Sequence, residues 1–159
     1  METSGADLWG ANGFLAAWIA LPEFRLEGWT GENCWMSGEG KGHWRQEGET
    51  WSLEEKGTCR MKEEGKENPF WNRWVFRPKS GGIYEVAHAR RGEPQDLVLL
   101  KPASEGRWVS EEKHLCGQDE YSSEVELGAG EVVMTWKVRG PEKDYRLVRR
   151  YWRAEGCRG

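Results

Sequence analysis

The residues best able to do chemistry lie near the end of the chain. Arg149 and Tyr151 are two apart in an alternating run, so a strand puts them on one face with Tyr145 and Leu147. Arg146, Val148, Arg150 and Trp152 take the other face. If the Arg149 face points inward, its guanidinium needs a partner, because an unpaired charge is costly in a dry interior. A ligand carboxylate or phosphate would serve, held by parallel N–H bonds. The bland alternatives are an internal acid, Glu55 or Glu85, or the opposite face turned inward. A second group is His114, Asp119 and Tyr121, with Cys116 between them. A histidine and a carboxylate side by side can exchange protons, and a tyrosine can polarise a substrate. The structural alternative ties a turn with Asp119, buries Tyr121 as a core ring and bonds His114 to the backbone. His88 is a lone histidine, more often surface or core than base. Lys143 and Asp144 form either a guard at an opening or an exposed turn pair.

Other chemistries lack their residues. Zinc held by His114 and Cys116 would need two more ligands, and His43, His88 and Cys59 have no ligand spacing. The glycines of residues 38–42 are not followed by the helix that phosphate cradling needs, and no G-x-S-x-G element occurs. No cofactor and no metal are therefore expected.

Strands position these groups. In the run from Glu131, Val132, Met134, Trp136 and Val138 alternate with Val133, Thr135, Lys137 and Arg139, the pattern of a half-buried strand. Gly140 and Pro141 open a turn that Asp144 can close, and the chain returns through residues 145–153. Residues 51–61 alternate as well. Their uniformly polar set, Ser52, Glu54, Lys56, Thr58, Arg60 and Lys62, faces out, which turns Glu55 inward with Leu53 and Cys59. Phe70, Asn72, Trp74 and Phe76 make another inward face. Further strands are expected at 41–46, 82–89, 96–101, 107–113 and 121–127, with 115–119 a tight connection and the glycine-rich residues 28–42 turn and loop. Residues 14–18 form either a short helix capped by Asn12 or the first strand. No long helical period occurs.

About nine or ten strands in sequence order predict an antiparallel meander that closes on itself, since closure removes exposed edges. A barrel of that size holds one small ligand. The expected organisation is a flexible lead over 1–12, one barrel domain over 13–154 and a flexible tail over 155–159. Of 159 residues only 37% are hydrophobic, but 11 are tryptophan, so a few large rings build the core.

The net charge is −4 with both signs interspersed, which argues against a general nucleic-acid binder. Cys34, Cys59, Cys116 and Cys157 form no C-x-x-C pair and read as reduced thiols of an intracellular protein. The start is acidic, unlike a signal peptide, and the apolar residues 14–21 are too few to span a membrane. The expectation is a soluble, cytoplasmic protein with a small-molecule partner, without nucleic acid or membrane, and with room for a protein partner.

The block from His114 to Tyr121 reads H-x-C-x-x-D-x-Y. It is followed by W-x-V-x-G-P-x-K-D-Y from Trp136 to Tyr145, then by Tyr151 and Arg153. This resembles an uncharacterised family, domain of unknown function six-three-one-four. Residues 15–18 are similar to its opening L-x-G-x-W, with Ala17 for glycine, and residues 53–57 to its Y-x-E-x-G, with Leu53 for the aromatic. The family's central D-G-R-x-F-H has no histidine here, where residues 90–95 stand. The resemblance covers about residues 15–153 and implies a calycin-like barrel, the superfamily of lipocalins and fatty-acid-binding proteins, with a ligand cavity. The Arg149-x-Tyr151 pair is similar to the carboxylate-holding pair on a late strand of fatty-acid-binding proteins.

The leading expectation is an all-β, antiparallel up-and-down barrel binding one small amphipathic or aromatic anionic ligand. Trp18, Trp74, Phe76 and Trp136 would wall the cavity, and Arg149, Tyr151 and Glu55 would meet the ligand's polar end. On this reading Arg149→Ala abolishes binding and leaves the fold intact. One alternative is an isomerising or cyclising enzyme using His114, Asp119 and Tyr121. The other is a structural subunit filled by its own tryptophans.

Overall fold

Alternation of apolar and polar residues dictates strands throughout. The computed structural model describes residues 11–89, 95–110, 114–116 and 118–153, with no side chains described at 11–14, 95–97 and 114–116. A short helix, α1 (Ala11–Ile19), precedes eleven strands. These are β1 (Glu23–Thr30), β2 (Asn33–Glu47), β3 (Thr50–Met61), β4 (Glu67–Pro78), β5 (Tyr84–Ala89) and β6 (Gln95–Ser104). They continue with β7 (Arg107–Ser110), β8 (His114–Cys116), β9 (Asp119–Gly128), β10 (Glu131–Arg139) and β11 (Asp144–Trp152).

Neighbours in sequence pair antiparallel from β1 to β7, β7 then pairs with β9, and β9, β10 and β11 follow in order. Pairing of β11 with β1 closes a barrel of ten strands. The eleventh, β8, folds back on the start of β9 alone. Among the described residues no ladder joins β8 to β6.

The local reading is right for most strands and wrong in two places, residues 28–42 and 115–119. Residues 28–42 are strand, not loop, because they form the end of β1 and much of β2 around a turn at Gly31 and Glu32. Glycine inside β2 reflects crowding, not a break. Gly40 faces Gly57 of β3, and a Cβ on either would sit 2.0 Å from a carbonyl oxygen of the other strand. Only glycine allows that approach, which coils the two strands tightly. Residues 14–18 belong to helix α1, and β1 begins only after Pro22. Part of the expected connection 115–119 is β8, held to β9. The expected strand at 107–113 is described to Ser110.

The inside is aromatic at one end and polar at mid-height. Trp18 of α1 is fully buried against Trp44, Phe76 and Tyr151, with ring centroids 5.4, 5.2 and 5.1 Å away. These rings belong to the end where β1 begins and β11 finishes, so α1 covers that end. Leu26, Leu53, Val86, Leu100, Val125, Val132 and Met134 complete the packed layers. No helix among the described residues is long and apolar enough to cross a membrane.

Candidate functional site

The site sits where β3, β4 and β11 turn polar residues inward. Glu55 follows Leu53 by two along β3, and both are buried. Across the β3–β4 ladder Glu55 stands opposite Asn72 and Leu53 opposite Trp74. On β11, Arg149 stands opposite Leu26 of β1 and Met134 of β10, both buried core residues. The face carrying Tyr145, Leu147, Arg149 and Tyr151 therefore points inward.

The Glu55 carboxylate gathers four donors. Its Oε1 accepts from Asn72 Nδ2 at 3.0 Å, Trp74 Nε1 at 3.1 Å and Arg149 Nε at 3.1 Å. Its Oε2 accepts from the Tyr151 hydroxyl. Asn72 Oδ1 in turn accepts from His88 Nε2. Glu55 is 0% exposed and Arg149 3%. Leaving one member of such a buried pair without its partner costs about 3–5 kcal/mol. Burial, then the negative charge of Glu55, holds the Tyr151 hydroxyl well above the usual tyrosine range, with Arg149 opposing in part.

The facing wall, from β9 and β10, is bonded differently. Trp136 lies opposite Ser123 across the ladder, and its ring stacks on Trp74 with centroids 5.0 Å apart and planes 10° apart. His88 lies 4.4 Å from the other partner of that stack, Trp74, and the Arg149 guanidinium carbon lies 4.9 Å from the Trp74 centroid. Among the described residues Trp136 Nε1, Ser123 Oγ and Arg149 Nη1 are buried with no hydrogen-bond partner. Each such group forfeits about 1–3 kcal/mol.

The two sequence-level clusters therefore part company. Arg149 and Tyr151 meet inside as expected, but their carboxylate comes from Glu55, the internal acid weighed as the bland alternative. Glu85 pairs outside with Arg77 and Lys79. The carboxylate position of the expected clamp is thus already filled, since Glu55 is the nearer and permanent acid. Trp74 and Trp136 line this layer, while Trp18 and Phe76 belong to the ring cluster under α1.

Around His114 the backbone pairs His114 with Tyr121 and Cys116 with Asp119, while the side chains of His114 and Cys116 lie outside the described residues. The Asp119 carboxylate is bound by Lys143 Nζ at 3.0 Å through Oδ2. A Cβ on Gly140 would lie 2.0 Å from Asp119 Oδ1, so glycine there lets the latch form. The turn from Gly140 to Lys143 is closed by its own backbone, at 2.7 and 3.3 Å, and Asp144 opens β11 instead of closing the turn. Lys143 is thus tied at the rim.

Ser123 and Asn72 carried no role in the sequence reading. The signal for Ser123 was a polar residue in phase with Tyr121, Val125 and Leu127. No group of three or more histidine, cysteine or acidic side chains suited to a metal occurs among the described residues.

A protein-family model described as a family of unknown function (DUF6314) matches residues 27–153, a span that contains every residue of the Glu55 cluster and its facing wall. No curated protein matches the sequence. With most of its length matched, the chain belongs to the DUF6314 family.

Proposed function

We propose that the barrel binds one small amphipathic or aromatic molecule in its interior, at the level of Trp74 and Trp136. One observation carries this reading. Three buried polar groups, Arg149 Nη1, Trp136 Nε1 and Ser123 Oγ, have no partner among the described residues; the first two belong to side chains packed on Trp74, and Ser123 stands across the ladder from Trp136. Folding normally pairs such groups, and an unpaired cluster marks a place kept for something else. The stacked indoles supply a flat apolar wall beside the donors. Polar edge and aromatic face together suit a ring bearing hydrogen-bond acceptors. A calycin-like barrel, which the sequence resemblance implies, is a form in which such a layer works as a pocket. Free Cys34 and Cys59 fit the cytoplasmic setting proposed with it.

The test compares native and denaturing mass spectra of freshly purified protein. An added mass lost on denaturation is the expected result, and Trp136→Phe, which keeps an aromatic ring but removes the N–H and part of the indole face, should abolish or sharply reduce it. Equal masses in both spectra, with no binding of added aromatic amides or acids, would overturn the reading in favour of an interior filled by its own tryptophans.

A further inference from the structure

We infer that the polar end of the ligand is an uncharged hydrogen-bond acceptor, such as an amide, ketone or ring carbonyl, and not a carboxylate. This rests on the interior-binding reading above and narrows it. Glu55 and Arg149 are the only buried charged residues among those described, and their charges cancel. Glu55 already takes the Arg149 Nε–H and the Tyr151 O–H, donors that a ligand carboxylate would otherwise claim. What remains is Arg149 Nη1, Trp136 Nε1 and the Ser123 hydroxyl.

A carboxylate reaching Arg149 Nη1 would bring a second negative charge within a few ångströms of Glu55, with no second buried cation to offset it. Like charges in a water-poor interior repel strongly, and the ligand would also lose its own hydration. A neutral carbonyl avoids both costs. Its oxygen has two lone pairs, enough for the Arg149 Nη1 and Trp136 Nε1 donors, and the Ser123 hydroxyl can accept from an amide N–H or donate to a second acceptor. His88 packs on Trp74, with Nε2 bonded to Asn72 Oδ1.

Matched probes of one shape test this. Benzamide against benzoate, and 2-naphthamide against 2-naphthoate, are titrated into the full chain near pH 7.5 by calorimetry and tryptophan fluorescence. The amide of at least one pair should bind at least tenfold more tightly than its acid. In Glu55→Gln, which leaves Arg149 without its counter-charge, the order should reverse. A wild-type protein that binds the acid as tightly as the amide overturns this inference while interior binding stands. Failure of all four probes to bind, with no ligand in the native spectrum, overturns both. Should Glu55→Gln not fold, the wild-type pairs decide alone.

Discussion

Trp74 and Trp136 are the same residue type, stacked in parallel in the same layer, and equally buried, yet they belong to opposite kinds of wall. The Trp74 indole donates to Glu55, within a cluster in which Asn72, Arg149 and Tyr151 also converge on that carboxylate. The Trp136 indole meets no acceptor among the described residues, and the Ser123 hydroxyl across the ladder from it has no partner there either. One wall spends all its polar groups but Arg149 Nη1 on itself and so fixes the barrel. The other keeps them open at a cost in stability. Stability and binding therefore separate largely by strand: β3, β4 and β11 hold the fold at this level, and β9 and β10 present the site together with the one open donor of β11, Arg149 Nη1.

The largest effect should come from breaking the closed wall. Arg149→Ala strands the Glu55 carboxylate in the interior, so unfolding in denaturant should show a loss of about 3–5 kcal/mol. The sequence-level expectation that this change leaves the fold intact does not survive the Glu55 contact. Pairing Arg149→Met with Glu55→Leu should recover only part of the loss: it removes the stranded charge, but Asn72 Nδ2, Trp74 Nε1 and the Tyr151 hydroxyl then lose their acceptor.

A sharper contrast comes from the two indoles. Trp74→Phe removes a hydrogen bond to a charged group and should cost about 1.5–3 kcal/mol in the same assay. Trp136→Phe loses the same ring volume but no hydrogen bond, so it should cost less than Trp74→Phe, while weakening ligand binding. Equal losses from both would erase the distinction between the walls.

Alkaline pH tests the closed wall without mutation. The Tyr151 hydroxyl titrates well above 10, and burial pushes Tyr84 up to about 12. As pH rises past about 10 the unfolded chain releases these protons and the folded chain keeps them. Stability should therefore fall with rising pH, by about 1.4 kcal/mol per unit for each tyrosine, and for Tyr84 the fall ends near pH 12. Tyr84→Phe should flatten that limb in pH-dependent unfolding.

The smallest effect belongs to the rim. Lys143→Ala opens a solvent-exposed pair with Asp119 and should barely shift the unfolding midpoint, less still at high salt.

The rim was nonetheless the most legible part of the sequence. Asp119, Gly140 and Lys143 lie within recognisable motif blocks because a tight turn and a close approach constrain residue type locally. The barrel was legible from period-two alternation, which put Glu55, Asn72, Trp74 and Trp136 on inward faces before any fold was known. β2 was not, because Gly38, Gly40 and Gly42 read as a loop when they are crowded strand positions. The meeting of Glu55 with Arg149, 94 residues apart, depends on closure of β11 onto β1. Alternation gives the face of each residue but not its height in the barrel, so the sequence could supply Glu55 as a candidate partner without choosing it over a ligand. Ser123 escaped notice for the same reason: its meaning comes from Trp136 across the ladder.

The most direct test follows the two indole N–H groups by proton–nitrogen NMR, assigned through Trp74→Phe and Trp136→Phe, as 2-naphthamide is added to saturation. The account predicts that the Trp136 N–H moves downfield as it gains an acceptor, while the Trp74 N–H, already on Glu55, hardly moves. A Trp136 resonance that stays put in saturated protein, or moves no more than that of Trp74, would contradict the claim that β9 and β10 present the binding wall.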